Sequence, residues 1–277
     1  MKAIILGGTG TLGQELTKQL LEDKNEVICL SRCELKQKEM KAKFPNVKYV
    51  LGDIRDKSSL ARVIGNYQTD IDIIYHVAAL KHIDIMEENP EESVKTNILG
   101  TMNVASIATE LGIEVIFSST DKAQYPVNVY GMSKGISEKI MLDYGHSVFR
   151  WGNVIGSRGS ALHYFVKQVK EAQPINLTHM DMTRFWIRIE DAVKFMITAN
   201  RSDPIKKVKI PPMMKASKVI SLIYAIEEAC GKKSTPIKIV GLRAGEKIHE
   251  DINEDTNSKT APQYTHKELV ELVRPFL

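Results

Sequence analysis

Cysteine is scarce in this chain of 277 residues: Cys29, Cys33 and Cys230 are the only three. An odd number with no Cys-x-x-Cys spacing excludes a disulfide framework and a thiolate zinc site, so reduced thiols and no metal are expected. Long hydrophobic runs are missing as well. Nothing approaches the roughly eighteen consecutive apolar residues of a membrane span. The N-terminal run Ala3-Ile4-Ile5-Leu6 is broken by Gly7 before it reaches the length of a secretory core. A cytoplasmic protein is therefore expected. Neither sign of charge dominates, since 38 basic and 34 acidic side chains give a formal +4. No basic run is interleaved with aromatics, which argues against nucleic acid as a partner. Internal repeats and low-complexity linkers are absent too.

What the chain does have is alternation. Short apolar runs predict strands at Ala3–Leu6, Glu26–Leu30, Val47–Val50, Ile71–Tyr75, Glu114–Phe117 and Ser147–Trp151. Helical spacing falls between them at Leu12–Leu21, Ser58–Ile64, Val94–Leu111 and Val129–Leu142. Such alternation is the signature of an α/β protein with a Rossmann-type, doubly wound parallel sheet. Residues 1–155 are read as the dinucleotide-binding domain. Residues 156–277, where the alternation ends, are read as mainly a smaller substrate-binding cap, some of whose segments return to the first domain. Ligands of such sheets bind beyond the carboxyl ends of the strands, where a cap closes over them.

The first strand runs directly into Gly7-Gly8-Thr9-Gly10-Thr11-Leu12-Gly13, which opens a helix. Glycines there let the backbone turn tightly against a pyrophosphate, and the free amides of the helix start stabilise its charge. An NAD-specific site normally places a carboxylate at the end of the second strand. Here the residues are Ser31 and Arg32, a hydroxyl and a guanidinium that suit a 2′-phosphate, so NADP is favoured over NAD. Asp53 and Ile54 are placed beside the adenine. Ala78, Ala79 and Lys81, after the fourth strand, are placed where the cofactor approaches.

Tyr130 and Lys134 lie four residues apart, on one face of the helix predicted there. An ammonium beside a phenol favours phenolate, an acid/base suited to alcohol chemistry. Just upstream, Asp121 and Lys122 form a second acid/base pair at a predicted strand end. Oxidation of an alcohol alone does not need that pair.

Together these residues resemble the extended short-chain dehydrogenase/reductase superfamily, and within it the C5-inverting UDP-N-acetylglucosamine 4,6-dehydratases. The resemblance is carried by the glycine turn, Ser-Arg at 31–32, Ala-Ala-Leu-Lys-His at 78–82 and Lys-Thr-Asn-Ile-Leu-Gly at 95–100. It continues through Ser-Thr-Asp-Lys-Ala at 119–123, Tyr-Gly-Met-Ser-Lys at 130–134 and Arg-Trp-Gly-Asn-Val-Ile-Gly-Ser-Arg-Gly-Ser at 150–160. Met-Thr-Arg-Phe-Trp-Ile at 182–187 and Gly-Leu-Arg-Ala-Gly-Glu-Lys-Ile-His-Glu at 241–250 complete it. Cys33 departs from the pattern, standing where the family usually has Asp. The chain is also shorter than expected of the family, with the deficit beyond Glu250.

The resemblance implies a UDP-sugar substrate, UDP-N-acetylglucosamine first among them, a homo-oligomer, and a reaction in three stages. Tyr130 takes the O4 proton as C4 is oxidised, with Thr120 orienting the sugar and Lys134 assisting the phenol and holding the nicotinamide ribose. Lys122 is the base at C5 and Asp121 the acid at the C6 hydroxyl. Hydride then returns to C6, and protonation at C5 inverts that centre. Lys81, Asn97, Asn153, Arg184, Arg243 and Glu246 are the expected substrate contacts. Three rivals stand beside this reading: a UDP-sugar 4-epimerase, which has no use for the Asp121–Lys122 pair; a 5,6-dehydratase with nearly the same residues; and a non-catalytic NADP-binding regulator.

Overall fold

The computed structural model describes residues 1–67, 71–202 and 207–277. Its strands are β1 (Lys2–Leu6), β2 (Glu26–Ser31), β3 (Lys48–Leu51), β4 (Ile73–His76), β5 (Glu114–Ser118), β6 (Ser147–Phe149), β7 (Asn153–Val154), β8 (Ile175–Leu177), β9 (Thr183–Ile187), β10 (Val208–Lys209), β11 (Ala216–Lys218) and β12 (Ile237–Ile239). The helices are α1 (Thr11–Glu22), α2 (Glu34–Lys43), α3 (Lys57–Gly65), α4 (Ile83–Glu88), α5 (Pro90–Ser93), α6 (Gly100–Glu110), α7 (Val129–Asp143), α8 (Ala161–Lys170), α9 (Ile189–Ser202), α10 (Val219–Ala229) and α11 (His266–Val273).

Seven strands form one sheet in the order β10-β6-β5-β4-β1-β2-β3, and every pairing in it is parallel. Both faces are covered, which is why these strands read as continuous apolar runs. Ala3 and Ile5 point to the face packed by Leu16 and Leu20 of α1 and by Val193 and Met196 of α9. Ile4 and Leu6 point to the other, packed by Leu60 of α3, Val104 of α6 and Met141 of α7. The order reverses between β1 and β4, and the crevice above that switch point is where such sheets bind ligands.

A third apolar cluster joins α8, α10 and α11 to Ile175, Leu177 and Trp186. It carries the small sheets β11-β9-β7 and β12-β8. Among the described residues no helix is long and apolar enough to cross a membrane, and no group of three or more His, Cys, Asp or Glu is placed to hold a metal ion.

The short helices α4 and α5 were not expected, and three further elements differ from the sequence expectation. The helix expected over Val94–Leu111 opens as a π-helical turn (Val94–Leu99) before α6 begins. There Asn97, 1% exposed, turns inward and both donates to and accepts from the backbone of Leu80. The strand expected to reach Trp151 ends at Phe149, because Arg150 turns its guanidinium into the interior. Its Nε donates to Glu138 Oε1 at 2.9 Å, its Nη2 reaches Oε2, and its Nη1 donates to the carbonyl of Ile252 at 2.8 Å. Helix α2 was not expected at all: it is polar around its circumference and buries only Gln37 and Met40.

The Arg150–Glu138 pair is buried on both sides. Removing one partner strands a charge, so Glu138→Ala is expected to cost about 3–5 kcal/mol of unfolding free energy. Glu138→Leu combined with Arg150→Met should recover much of that, because no charge is left behind. Denaturant midpoints of the two variants check this.

Candidate active site

The glycine turn, the Asp53 group and the Thr120–Lys122 turn follow the carboxyl ends of the parallel strands β1, β3 and β5. After β1 the chain turns at Gly7, whose φ of +87° favours glycine, and a Cβ there would stand 2.7 Å from the backbone of Ala78. A Cβ on Gly13 would stand 2.5 Å from Gly8. Both glycines are thus demanded by close backbone approach. Helix α1 begins at Gly10 with no side-chain cap, leaving its first amides available to an anion. Thr9 is buried, and Leu12 packs partly against the core. Thr11 Oγ1 accepts from the Arg158 amide at 3.1 Å. Lys81 Nζ donates to the Arg158 carbonyl at 2.8 Å, so residues 157–158 run across the glycine turn as a strap. Ala78 lies against Gly7, and Ala79 is exposed beside it.

At the neighbouring strand ends, Ser31 is buried and its hydroxyl accepts from Gln37 Nε2 at 3.0 Å. Arg32 is half exposed, with Nη1 3.7 Å from Asp53 Oδ2. Arg55, to which the sequence reading gave no role, takes that carboxylate with Nη2 at 2.7 Å and Nε at 2.9 Å. Partial burial raises the Asp53 pKa, but the bonds from Arg55 and the charges of Arg32 and Arg55 outweigh this and hold it below its ordinary value. The side chain of Ile54, the next residue, is buried against Gly100 of α6.

The catalytic candidates converge from three elements. Beyond β5 the backbone continues along β6: Ser119 N donates to the Phe149 carbonyl and Asp121 N to that of Trp151 at 2.8 Å. It then closes a 3₁₀ turn (Asp121–Ala123) capped by Thr120. Helix α7 is capped by Asn128, whose Oδ1 accepts from Gly131 N at 2.7 Å. It packs so closely on the turn that a Cβ on Gly131 would lie 2.2 Å from the Lys122 carbonyl. That contact brings Tyr130 to Thr120 and Lys122.

Asp121 is fully buried and accepts from Lys122 Nζ and from Thr120 Oγ1, each at 3.0 Å. Lys122 Nζ also donates to Asn153 Oδ1 at 3.1 Å and lies 3.5 Å from Glu250 Oε1. Burial lowers the Lys122 pKa, but Asp121 and Glu250 more than compensate and raise it above its ordinary value. Burial pushes the Tyr130 phenol up; Lys122 and the Thr120 hydroxyl act against that, while Asp121 adds to it. The cation working on this phenol is therefore Lys122.

Lys134, 3% exposed, is directed elsewhere. Its Nζ donates to the Ser118 carbonyl at 2.6 Å and lies 3.8 Å from the centroid of the Phe117 ring. Burial pulls its pKa down to about 7, against the opposing charge of Glu138. Such a lysine binds its proton less well folded than unfolded. It costs stability fully below about pH 7, and the cost is relieved as pH rises toward the ordinary value of 10.5. Lys134→Met should therefore gain on the parent protein as pH falls through that window, by a few degrees of midpoint. Thermal melts across pH check this; a difference independent of pH would contradict it.

Asn97 is spent within the protein, on Leu80 and on Ser133 Oγ of α7 at 3.0 Å. Arg184 is buried, donating through Nη1 to the carbonyls of Thr183 and Ile248 and through Nη2 to that of Lys247 at 2.9 Å. Arg243 is exposed, its amide donating to Glu246 Oε2 at 3.3 Å. Glu246 in turn lies 4.0 Å from Arg184. The sequence reading missed Glu250 and Arg55. Glu250 closed a motif already noted, yet nothing in a linear pattern places it beside Lys122.

The family profile described as "Polysaccharide biosynthesis protein" matches residues 3–271. A UDP-N-acetylglucosamine 4,6-dehydratase (inverting) from Campylobacter jejuni is 41% identical over 265 residues, covering 89% of this chain and 75% of that protein. A UDP-glucose 4-epimerase from Rickettsia akari is 35% identical over 269 residues, covering 90% of this chain and 76% of that one. Among solved structures, Pen from Bacillus thuringiensis matches with a TM-score of 0.89 at 29% identity, covering 98% of this chain and 96% of its own. DesIV, a dTDP-glucose 4,6-dehydratase from Streptomyces venezuelae, has the same fold, with a TM-score of 0.81 at 21% identity and coverage of 99% and 96%.

Proposed function

The chain belongs to the polysaccharide biosynthesis protein family, and from that premise we propose that it is a UDP-N-acetylglucosamine 4,6-dehydratase. It inverts C5 and yields UDP-2-acetamido-2,6-dideoxy-β-L-arabino-hex-4-ulose. The observation that carries this reading is the buried pair of Asp121 and Lys122, 3.0 Å apart, on a turn packed under Tyr130. An enzyme that only oxidises and reduces at C4 needs no such pair.

The residues fit a nicotinamide dinucleotide: Gly7, Gly10 and Gly13 leave room at an uncapped helix start, as a pyrophosphate requires. A nicotinamide held there would supply the hydride exchange that oxidises C4 and reduces C6. Arg32 and Arg55 flank the adenosine ribose position and favour NADP. Arg32→Ala is expected to weaken NADP binding about tenfold and NAD binding much less; equal losses in titrations with the two cofactors would contradict that.

Tyr130 receives the O4 proton; burial raises its pKa, and the neighbouring Lys122 charge acts against that rise. Thr120, bonded to Asp121 at 3.0 Å, orients the C4 hydroxyl. Lys122 takes the C5 proton, Asp121 protonates the departing C6 oxygen, and Lys122 returns a proton to C5. Asn153 steers Lys122 at 3.1 Å. Arg243 and Glu246, together with Lys81, are assigned to the nucleotide half, while Arg184 holds the backbone of residues 247–248. Half-exposed Met102 of α6 with Met132 and Ile136 of α7 offer an apolar helical face for a second copy of the chain.

A second reading, a UDP-sugar 4-epimerase, is favoured by the Rickettsia relative. Mass spectrometry of the products separates the two, since the dehydratase loses one water from UDP-N-acetylglucosamine and the epimerase leaves the mass unchanged.

A further inference from the structure

Glu250 has no part in the reaction as set out above, yet it is built into its centre. Its segment is held by bonds that do not use its carboxylate. Thr183 N donates to the Ile248 carbonyl at 3.0 Å, Glu250 N to Ser258 Oγ at 2.9 Å, Lys247 Nζ to the Gln124 carbonyl at 2.9 Å, and Arg150 Nη1 to the Ile252 carbonyl at 2.8 Å. The side chain is 4% exposed. Its Oε1 lies 3.5 Å from Lys122 Nζ and 3.8 Å from Arg184 Nε. Its Oε2 lies 3.8 Å from Lys247 Nζ and has no hydrogen-bond partner among the described residues.

Two carboxylates thus share the Lys122 ammonium, Asp121 at 3.0 Å and Glu250 at 3.5 Å. Held this way the lysine stays charged, and a charged lysine cannot take a proton from C5. For the C6 hydroxyl Asp121 must carry a proton, the one Tyr130 takes from O4, passed on through the Thr120 hydroxyl bonded to both; the lysine's proton therefore needs a second acceptor. Burial and the neighbouring Asp121 push the Glu250 pKa up, against the pull of Lys122, Arg184 and Lys247.

We propose that Glu250 is a positioning residue that acts through Lys122, storing the lysine's proton while its amine works as the C5 base; this rests on the dehydratase reading. An N–H bond of the ammonium breaks and an O–H bond forms on Glu250, leaving a neutral amine and a neutral carboxylic acid with no net charge moved out of the pocket. The amine then takes the C5 proton as water leaves through Asp121. Once Lys122 has returned that proton to C5, Glu250 gives back the one it stored.

The test uses the NADP-loaded protein and UDP-N-acetylglucosamine in deuterated water, following C5 exchange and water loss by NMR and the first hydride transfer by nicotinamide absorbance. If the parent protein itself shows no C5 exchange, the dehydratase reading fails and this inference fails with it. If the parent exchanges C5, Glu250→Gln should lower exchange and water loss by about 10²-fold or more. It should leave the first hydride transfer and NADP binding within a few-fold, and Glu250→Asp should restore part of the loss. Native C5 exchange in Glu250→Gln would overturn the inference and leave Asp121 as the only acceptor. Equal loss of hydride transfer and exchange would also overturn it, because that marks a structural role. Should Glu250→Gln fail to fold, Glu250→Asp carries the test through the pH profile of C5 exchange: a shifted profile supports the proton store and an unshifted one overturns it.

Discussion

Lys122→Ala is expected to abolish water loss and C5 exchange, with a fall of about 10³-fold or more, while NADP still binds. General-base catalysis typically supplies 10²–10⁴-fold, and this lysine serves the C5 step twice, as base and then as acid. The variant also strands Asp121 and Glu250, which are 0% and 4% exposed as side chains, with no cation between them. Like charges so placed do not both stay ionised, so one carboxyl takes up a proton and the pocket persists at some cost in stability. The measurement is dehydration of UDP-N-acetylglucosamine by NMR alongside NADP titration. Dehydration at the native rate would remove Lys122 from its role, whatever else the variant showed.

Tyr130→Phe should stop the reaction one step earlier. The phenol is the group placed to take the O4 proton, and without it about 10³-fold of the first hydride transfer should vanish. C5 exchange of the sugar substrate falls with it, because C5 becomes acidic only after C4 is oxidised. The two variants therefore differ in a way no general loss of folding reproduces: Lys122→Ala reduces the nicotinamide, more slowly for want of the charge beside the phenol, and then stalls, whereas Tyr130→Phe leaves it oxidised. Single-turnover absorbance of the nicotinamide separates them. An undiminished first reduction in Tyr130→Phe would contradict the assignment.

The parts of this protein legible in its sequence are those dictated locally. Strand β1, the glycine turn and α1 follow one another within a couple of dozen residues, and each glycine answers a contact only a few residues away or at the next strand end. The Tyr130 and Lys134 spacing places both on α7. What the spacing could not give is the direction of the Lys134 side chain, which burial and the Ser118 carbonyl decide. Helix α2 escaped notice because only Gln37 and Met40 tie it to the core, too few to produce an apolar stripe. The π-helical turn at Val94–Leu99 escaped because it changes the hydrogen-bond period without changing the composition.

Long-range placement was the larger gap. Arg55 follows Asp53 by two residues and still went unassigned, since the tight turn that folds its guanidinium back on that carboxylate has no sequence signature of its own. Glu250 reaches Lys122 only because β9 and the Ser258 hydroxyl hold its segment from one side while Arg150 and Lys247 hold it from the other. Arg184, expected to meet the nucleotide, instead uses its donors to fix the backbone of residues 247–248. Its contribution to the pocket is the position it gives Glu250, 3.8 Å away.

Whether Asp121 and Lys122 work on C5 and C6 of a sugar oxidised at C4 is read from proton NMR of UDP-N-acetylglucosamine turning over in deuterated water with catalytic NADP. A new C6 methyl, deuterium at C5 and couplings of the L-arabino configuration are expected. A product with the couplings of N-acetylgalactosamine and with C5 and C6 untouched would contradict this, and would leave the buried pair as a structural ion pair beneath an epimerase.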